Sequence, residues 1–402
     1  MKDIEKKAKA YALKNALAHN NKAIPGAVIS SLFHEGLKKQ DMKKYGKEIA
    51  EIVSKINKLS RQEQEKEFEK IKEEVSERKH EEGLQELPNV PKSGVIMRFR
   101  PAPSGPLHIG NIIGAGLPNS LYVKKYGGKF YVIFDDTNPE ETVAEAYDNI
   151  KRDCDWILGN VSEYLASSDR MNLYYKYAEK LIEKNAAYVC TCSQERFKKF
   201  AERKKECPCR KTSIKENLEN WKKMLNKNGY KEKKAVLRFK SEKGMTHPNP
   251  AMRDFPLARI CLCEHPRQGK KYRVWPLMNL VVAVDDIELG MTHIIRGKDH
   301  RDNAERQKMI FNVFKKKFPW VFFIGRIKFK DLILSKRKLK EMLKSGELKG
   351  EEDENIPTIA SLRKRGYKPE AFQKFVEQRG LTEVDKVIDS KDFFDIIANF
   401  SR

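Results

Sequence analysis

The hydrophobic pattern changes period along the chain. In residues 1–85 apolar side chains recur at helical spacing: Ala8, Ala12, Leu13 and Ala16 lie near it, and Ile49, Ile52, Val53 and Ile56 repeat it. Over residues 61–79 the charges alternate in sign, which gives opposite pairs four apart on an exposed helix. Pro88, Pro91, Ser93 and Gly94 then mark a linker. Beyond it, residues 95–100 (VIMRFR) suit a buried strand closed by Pro101, and residues 129–134 (KFYVIF) suit a second. A helix is expected over residues 144–158. Strands alternating with helices predict a parallel α/β sheet. Residues 187–192 are β-rich and lead into a lysine-rich stretch and a helix over residues 214–225. From Tyr272 onward strand-like apolar runs resume (VWPLMNLVVAV and THIIRG), and from Ile356 the pattern is helical again.

Composition narrows the class. A chain of 402 residues suits two to four domains. No run approaches the roughly 20 apolar residues of a membrane span, and the charged start has no apolar core of a secretory signal, so a cytoplasmic protein without membrane contact is expected. The 81 basic against 57 acidic side chains leave a net charge of +24. Such a surplus points to a polyanion such as nucleic acid, although a general bias toward lysine would produce it too. Among seven cysteines, Cys190 and Cys192 form one tight pair and Cys207 and Cys209 another. In a cytosolic protein such pairs read as metal ligands before disulfides, and two pairs can supply the four soft ligands of tetrahedral zinc. Cys154, Cys261 and Cys263 lack that arrangement and read as packed thiols.

The most informative segment is residues 98–111, RFRPAPSGPLHIGN. A strand enters a Pro/Gly-rich turn and then a helix start, whose backbone N–H groups suit the phosphates of a nucleotide. Gly110 lets a ligand approach the backbone, and His108 can donate to phosphate oxygens as charge builds. Far downstream lie residues 332–338, LILSKRK. Together the two segments resemble the paired "HIGH" and "KMSKS" signatures of class I aminoacyl-tRNA synthetases. The resemblance narrows to the glutamyl/glutaminyl branch, and to the archaeal glutamyl type, on residues 134–139 (FDDTNP), 168–170 (SDR) with Tyr174 and Tyr175, 249–254 (NPAMRD) and 272–300. The helical first 90 residues resemble the extension of archaeal and eukaryotic members.

That resemblance implies a Rossmann-like parallel sheet with an inserted acceptor-stem domain, a helical N-terminal extension and a helical C-terminal stem-contact region. The expected boundaries are 1–90 for the extension, 91–186 for the first Rossmann half, 187–270 for the insertion, 271–325 for the second half and 326–402 for the KMSKS-like loop and stem-contact region. It implies ATP held by His108, Gly110, Asn111, Ser335 and Lys336, with His108 and Lys336 catalytic and Lys336 on the pyrophosphate. Asp135 would receive the substrate ammonium, and Arg98 and Arg296 would pair with its carboxylates, which suits planar guanidinium groups. Magnesium would accompany ATP, and Cys190, Cys192, Cys207 and Cys209 would form a structural zinc knuckle. The implied substrates are glutamate and its tRNA, with the glutamine tRNA as a further acceptor. The sequence departs from the family pattern at Asn111, Ile333, Arg100, Ile133 and Met278, the last three around one pocket. Relatives continue into an anticodon-binding barrel, so the expectation is one of three: a separate C-terminal anticodon-binding chain as partner, a cut fragment, or a reduced paralogue. A glutaminyl enzyme, an enzyme that glutamylates a modified tRNA base, and a weakly catalytic tRNA-binding paralogue remain as alternatives.

Overall fold

The computed structural model describes residues 4–38, 41–76, 83–332, 334 and 336–401. Two compact units divide the chain, Met1–Glu81 and Glu82–Arg402. In the first, α1 (Ile4–Ala18), α2 (Pro25–His34), α3 (Met42–Ile56) and α4 (Arg61–Glu69) close a core in which Ala8, Ala12, Leu13, Val28, Leu32, Ile49 and Val53 are buried. Helix α4 begins at a reciprocal cap, with the Ser60 backbone N–H donating to Glu63 Oε2 at 2.8 Å and the Glu63 N–H to Ser60 Oγ. It is shorter than the charge pattern over residues 61–79 predicts. Residues 72–74 are a 3-10 turn, and residues 77–79 lie outside the described residues.

The second unit is built on parallel strands. Its first part runs β1 (Val95–Phe99), α5 (Ile109–Asn111), a π turn over Ile112–Gly116, α6 (Leu117–Tyr126), β2 (Gly128–Phe134), α7 (Glu145–Ile157), β3 (Glu163–Ala166) and α8 (Met171–Glu183). Strand β1 pairs parallel with β2, and β2 with β3. An antiparallel sheet follows: β4 (Ala187–Cys190), α9 (Gln194–Glu202), α10 (Ile214–Leu225), β5 (Val236–Phe239), β6 (Pro256–Ile260) and β7 (Val274–Pro276), in the order β4-β5-β6-β7. The chain then returns to parallel structure with α11 (Met278–Glu288), β8 (His293–Gly297), α12 (Arg301–Val313) and β9 (Trp320–Ile324). Last come β10 (Ile327–Phe329), α13 (Lys336–Ser345), α14 (Ile359–Lys364), α15 (Pro369–Arg379), β11 (Lys386–Ile388) and α16 (Ser390–Ser401).

Strands β1 and β8 lie side by side without a regular ladder. The Thr292 N–H donates to the Ile96 carbonyl at 3.0 Å, and Ile96 N–H donates to Thr292 Oγ1 at 2.9 Å. Further along, the buried Asn119 amide takes the place of a strand neighbour, accepting from Ile295 N–H and donating to its carbonyl. The spatial order β3-β2-β1-β8-β9 is that of a doubly wound sheet, whose crevice opens where the order reverses.

Two expectations are corrected. The run VWPLMNLVVAV is a strand only over Val274–Pro276; from Met278 it is a helix. Leu280, Val281, Val282, Ala283 and Val284 are all buried, so the apolar side chains ring the helix and show neither period. A short, wholly buried helix and a buried strand have the same pattern. In the C-terminal part, β11 interrupts the helices and pairs parallel with β10.

Candidate active-site cleft and cysteine knuckle

A cleft of about 630 Å³ opens at the carboxyl ends of β1 and β8. Phe99 and Arg100 from β1 and its turn, His108, Gly110 and Asn111 from the helix start, Gly297 at the end of β8 and His300 just after it, and Leu334 from the downstream basic segment all line it. The two sequence motifs, some two hundred residues apart, thus share one cavity. His108 N–H donates to Asn111 Oδ1, and the segment around Thr358 bridges antiparallel to His108 and holds the turn from outside. Space at Gly110 is tight: a Cβ there would lie 3.1 Å from His108 Nδ1 and 3.2 Å from Leu334 Cδ1, so these side chains would have to give by a few tenths of an ångström. Ile333, Ser335 and the side chain of Lys336 lie outside the described residues; the backbone of Lys336 starts α13.

Beneath the cleft sits a buried group of charges. Arg98 lies side-on to Asp286, with Nη2 donating to Oδ2 at 2.8 Å and Nε to Oδ1. Arg100 donates to Asp285 at 2.6 Å and Ser167 at 2.9 Å, and its Nη2 stands 3.5 Å from Asp135 Oδ1. Arg170 and the Tyr174 hydroxyl also donate to Asp285, which is completely buried. Arg296 differs. Its Nη1 donates to Gln307 at 2.8 Å, and among the described residues no carboxylate pairs with it. Burial, with Arg98 nearby, pushes its guanidinium down to about 9, and burial beside Arg296 pushes His300 down to about 4. Burial is the larger cause of both shifts, and the like charges of Arg98 and Arg296 add to it.

The Asp135-Asp136 turn at the end of β2 is held from below. Buried Asp136 accepts from Tyr147 Oη, Ser168 N–H and Ser168 Oγ at 2.6–2.7 Å. His265, stacked on Trp275, accepts at Nδ1 from the backbone N–H groups of Arg267 and Gln268. Its proton therefore resides on Nε2, which donates to the Asp136 carbonyl at 2.9 Å. Of the departures, Ile133 is buried with Tyr131, Met291 and Ile294, whereas Met278 is the half-buried first residue of α11.

Residues 94–397 match the family model described as tRNA synthetases class I (E and Q), catalytic domain. The chain belongs to that family. The synthetase is 43% identical over 383 residues to a glutamate–tRNA ligase of Methanocaldococcus jannaschii, covering 95% of this chain and 68% of that one. It is 41% identical over 406 residues to a glutamate–tRNA ligase of Methanobrevibacter smithii, covering 100% of this chain and 71% of that one. Among solved structures, a glutamate tRNA ligase from Elizabethkingia meningosepticum in complex with its amino acid shares the fold, with a TM-score of 0.51, 18% identity and coverage of 75% and 68%. No helix among the described residues is long and apolar enough to cross a membrane.

Away from the cleft, the synthetase brings its two cysteine pairs together. The Sγ atoms of Cys190 and Cys207 are 3.6 Å apart, those of Cys192 and Cys207 3.4 Å, and those of Cys192 and Cys209 3.9 Å. Four sulfurs each about 2.3 Å from a tetrahedral zinc lie about 3.8 Å apart, so the donor set fits that ion. The knuckle is anchored by Arg210, which donates to both oxygens of buried Asp254 at 2.8 Å, while Asp254 also accepts from the Tyr188 hydroxyl and Ser241.

The expectations for Arg98 and Arg100 left out their partners, Asp286 and Asp285. Asp285 and Asp286 are consecutive in the apolar α11 run, and a carboxylate pair in an otherwise buried helix is the signal that could have exposed them. His265 gave no signal of its own in the sequence.

Proposed function

We propose that this synthetase is the catalytic part of a glutamate–tRNA ligase. A carboxylate oxygen of glutamate attacks the α-phosphorus of ATP in line, forming the acyl–phosphate bond as pyrophosphate leaves. A hydroxyl of the terminal tRNA ribose then attacks the acyl carbon and releases AMP. No protein nucleophile takes part, so the work is positioning and charge neutralisation. His108 and Lys336 are assigned to the phosphates, with Gly110, Asn111 and Ser335 completing the nucleotide site. Arg98 and Arg296 are assigned to the substrate carboxylates, and Asp135 to the ammonium. Magnesium bound together with ATP would supply further charge neutralisation. Zinc on Cys190, Cys192, Cys207 and Cys209 is structural.

The observation that carries this reading is Arg296: a guanidinium 8% exposed, beside Arg98, with no carboxylate paired to it among the described residues. A carboxylate ligand supplies the missing charge. The relatives' names support glutamate as the source of that carboxylate. The tRNA partner is the glutamate acceptor, and the glutamine tRNA or an additional anticodon-binding chain would show as extra charging in the same assay. One contact favours a second reading: Arg100 already stands against Asp135, where the ammonium should go. A paralogue that binds tRNA and charges weakly fits that contact.

The deciding experiment is ATP-dependent charging of total tRNA with each amino acid in turn, with and without an added anticodon-binding chain. Glutamate alone should be attached, and Lys336→Ala should lower the rate by at least ~100-fold while the protein stays folded. Attachment of another amino acid overturns the assignment, and tight tRNA binding without charging selects the second reading.

A further inference from the structure

A second set of soft ligands lies outside the cysteine knuckle. Cys261 and Cys263 follow the end of β6, and Glu140 follows the turn that carries Asp135 and Asp136. These segments are more than a hundred residues apart, yet the two sulfurs and a Glu140 carboxylate oxygen lie within 4.8 Å of one another. Cys261 is buried, Cys263 half-buried and Glu140 exposed, so the group has a buried floor and an open mouth.

The surrounding contacts fix both segments. Arg259 on β6 donates from Nη2 to Asn138 Oδ1 at 2.7 Å and to Glu140 Oε2 at 2.6 Å. His265 holds the Asp136 carbonyl, and Cys261 N–H donates to the Arg273 carbonyl at 2.9 Å. Metal-binding carboxylates are commonly oriented by such hydrogen bonds, and a carboxylate can serve an arginine with one oxygen and a cation with the other. The single-residue gap between the cysteines is the same gap found in both halves of the knuckle. Both cysteines pack in or against the hydrophobic core, as expected of packed thiols, and their convergence with Glu140 adds a candidate ligand set to that packing.

We infer that Cys261, Cys263 and Glu140 form a second metal site, for zinc or another borderline divalent cation. Two thiolates and one carboxylate select such an ion over magnesium or calcium, and three protein ligands leave the fourth tetrahedral position to solvent. Each thiol gives up its proton to the solvent as the metal binds. The ion ties the 135–140 segment to the end of β6. The site stands on its own ligands and does not depend on which amino acid the synthetase activates.

Metal analysis of the full chain, purified without chelator or added zinc, tests the proposal. The native protein should carry about two equivalents of zinc, and Cys263→Ala or Glu140→Gln, at exposed or half-buried positions that leave the fold intact by thermal unfolding, should carry about one. Cobalt substitution gives an independent readout: the thiolate-to-cobalt absorption of the native protein should fall by the contribution of two sulfurs in Cys263→Ala/Cys261→Ser. In Cys190→Ser/Cys207→Ser one equivalent should remain if that variant folds; if it does not, the difference between native and Cys263→Ala still decides. A native protein with one equivalent, unchanged in Cys263→Ala and with an unchanged cobalt spectrum, overturns the second site and leaves the knuckle standing.

Discussion

Arg210 and Arg296 are each 8% exposed, and their surroundings are opposite. On the 3-10 turn of the cysteine knuckle Arg210 has both oxygens of Asp254, Glu206 at 3.0 Å and the Ser241 carbonyl at 2.7 Å. At the switch point of the parallel sheet Arg296 has, among the described residues, one neutral amide as its hydrogen-bond partner; Arg98 and Arg100 push against its charge, while Asp286 and Asp135 pull the other way without pairing with it. A buried charge with every partner present needs nothing more to be stable. A buried charge without a counter-charge is costly in the free protein, and an anionic ligand removes that cost on binding. Equal burial therefore means structure in one region and recognition in the other.

The largest effect should come from breaking the fully paired member. Arg210→Met leaves Asp254 buried without its counter-charge, and should lower unfolding free energy by about 3–5 kcal/mol. Urea denaturation measures it. Asp254→Asn added to that variant should restore a substantial part, since the orphaned charge is then gone. A loss below about 1 kcal/mol, the range of surface ion pairs, would show that Arg210 is no more than peripheral.

Arg296→Gln should do the reverse. Stability should hold or rise, because an unpaired buried cation is removed, while kcat/KM for glutamate falls about 100-fold, the scale of one charge-assisted contact. The KM for ATP should not move. Paired thermal unfolding and charging assays test this, and loss of stability with unchanged glutamate kinetics would make Arg296 another Arg210.

A smaller effect is expected where the cleft is held only indirectly. His265 touches the Asp136 backbone and acts as a positioning residue for Asp135. Losing that one hydrogen bond in His265→Ala should raise KM for glutamate by up to about tenfold with kcat little changed. His265→Gln, whose amide can donate to the same carbonyl, should recover part of it. Equal defects in both variants would indicate a packing role against Trp275 instead.

How much of this was legible in the sequence follows from sequence distance. The strand-turn-helix at residues 95–111 is local, and so is each cysteine pair, so spacing exposed both. The charge group is not local: Arg98 meets Asp286 and Arg100 meets Asp285 across 188 and 185 residues. No window of periodicity spans that distance. Helix α11 was misread because burial on all sides erases the polar face that defines a helical period. The β10–β11 pair was missed for a related reason, since three-residue strands are too short to show alternation. Asn119 standing in as a strand neighbour of Ile295 has no sequence signature at all.

Asp153 supplies the smallest and most discriminating test, because it is an under-paired buried charge outside the cleft. It is 2% exposed; its Oδ2 has no hydrogen-bond partner among the described residues, and Arg363 Nη1 stands 3.5 Å from Oδ1. Burial pushes its carboxyl up to about 7 against the opposing pull of Arg363. A carboxyl can escape the cost of an unmatched charge by keeping its proton, whereas an arginine effectively cannot. An unfolded aspartate ionises near pH 3.9, so between roughly pH 4 and 7 the folded state binds more protons than the unfolded one. Stability due to Asp153 is therefore complete below that window and is lost as the pH rises through it. Asp153→Asn removes the proton equilibrium and the buried charge together. The variant should melt a few degrees higher than the native protein at pH 8 and within about a degree of it at pH 5. Thermal unfolding at the two pH values measures the difference. Equal shifts at both would mean that Arg363 already neutralises the carboxylate, and Asp153 would then belong with Arg210 among the fully paired charges.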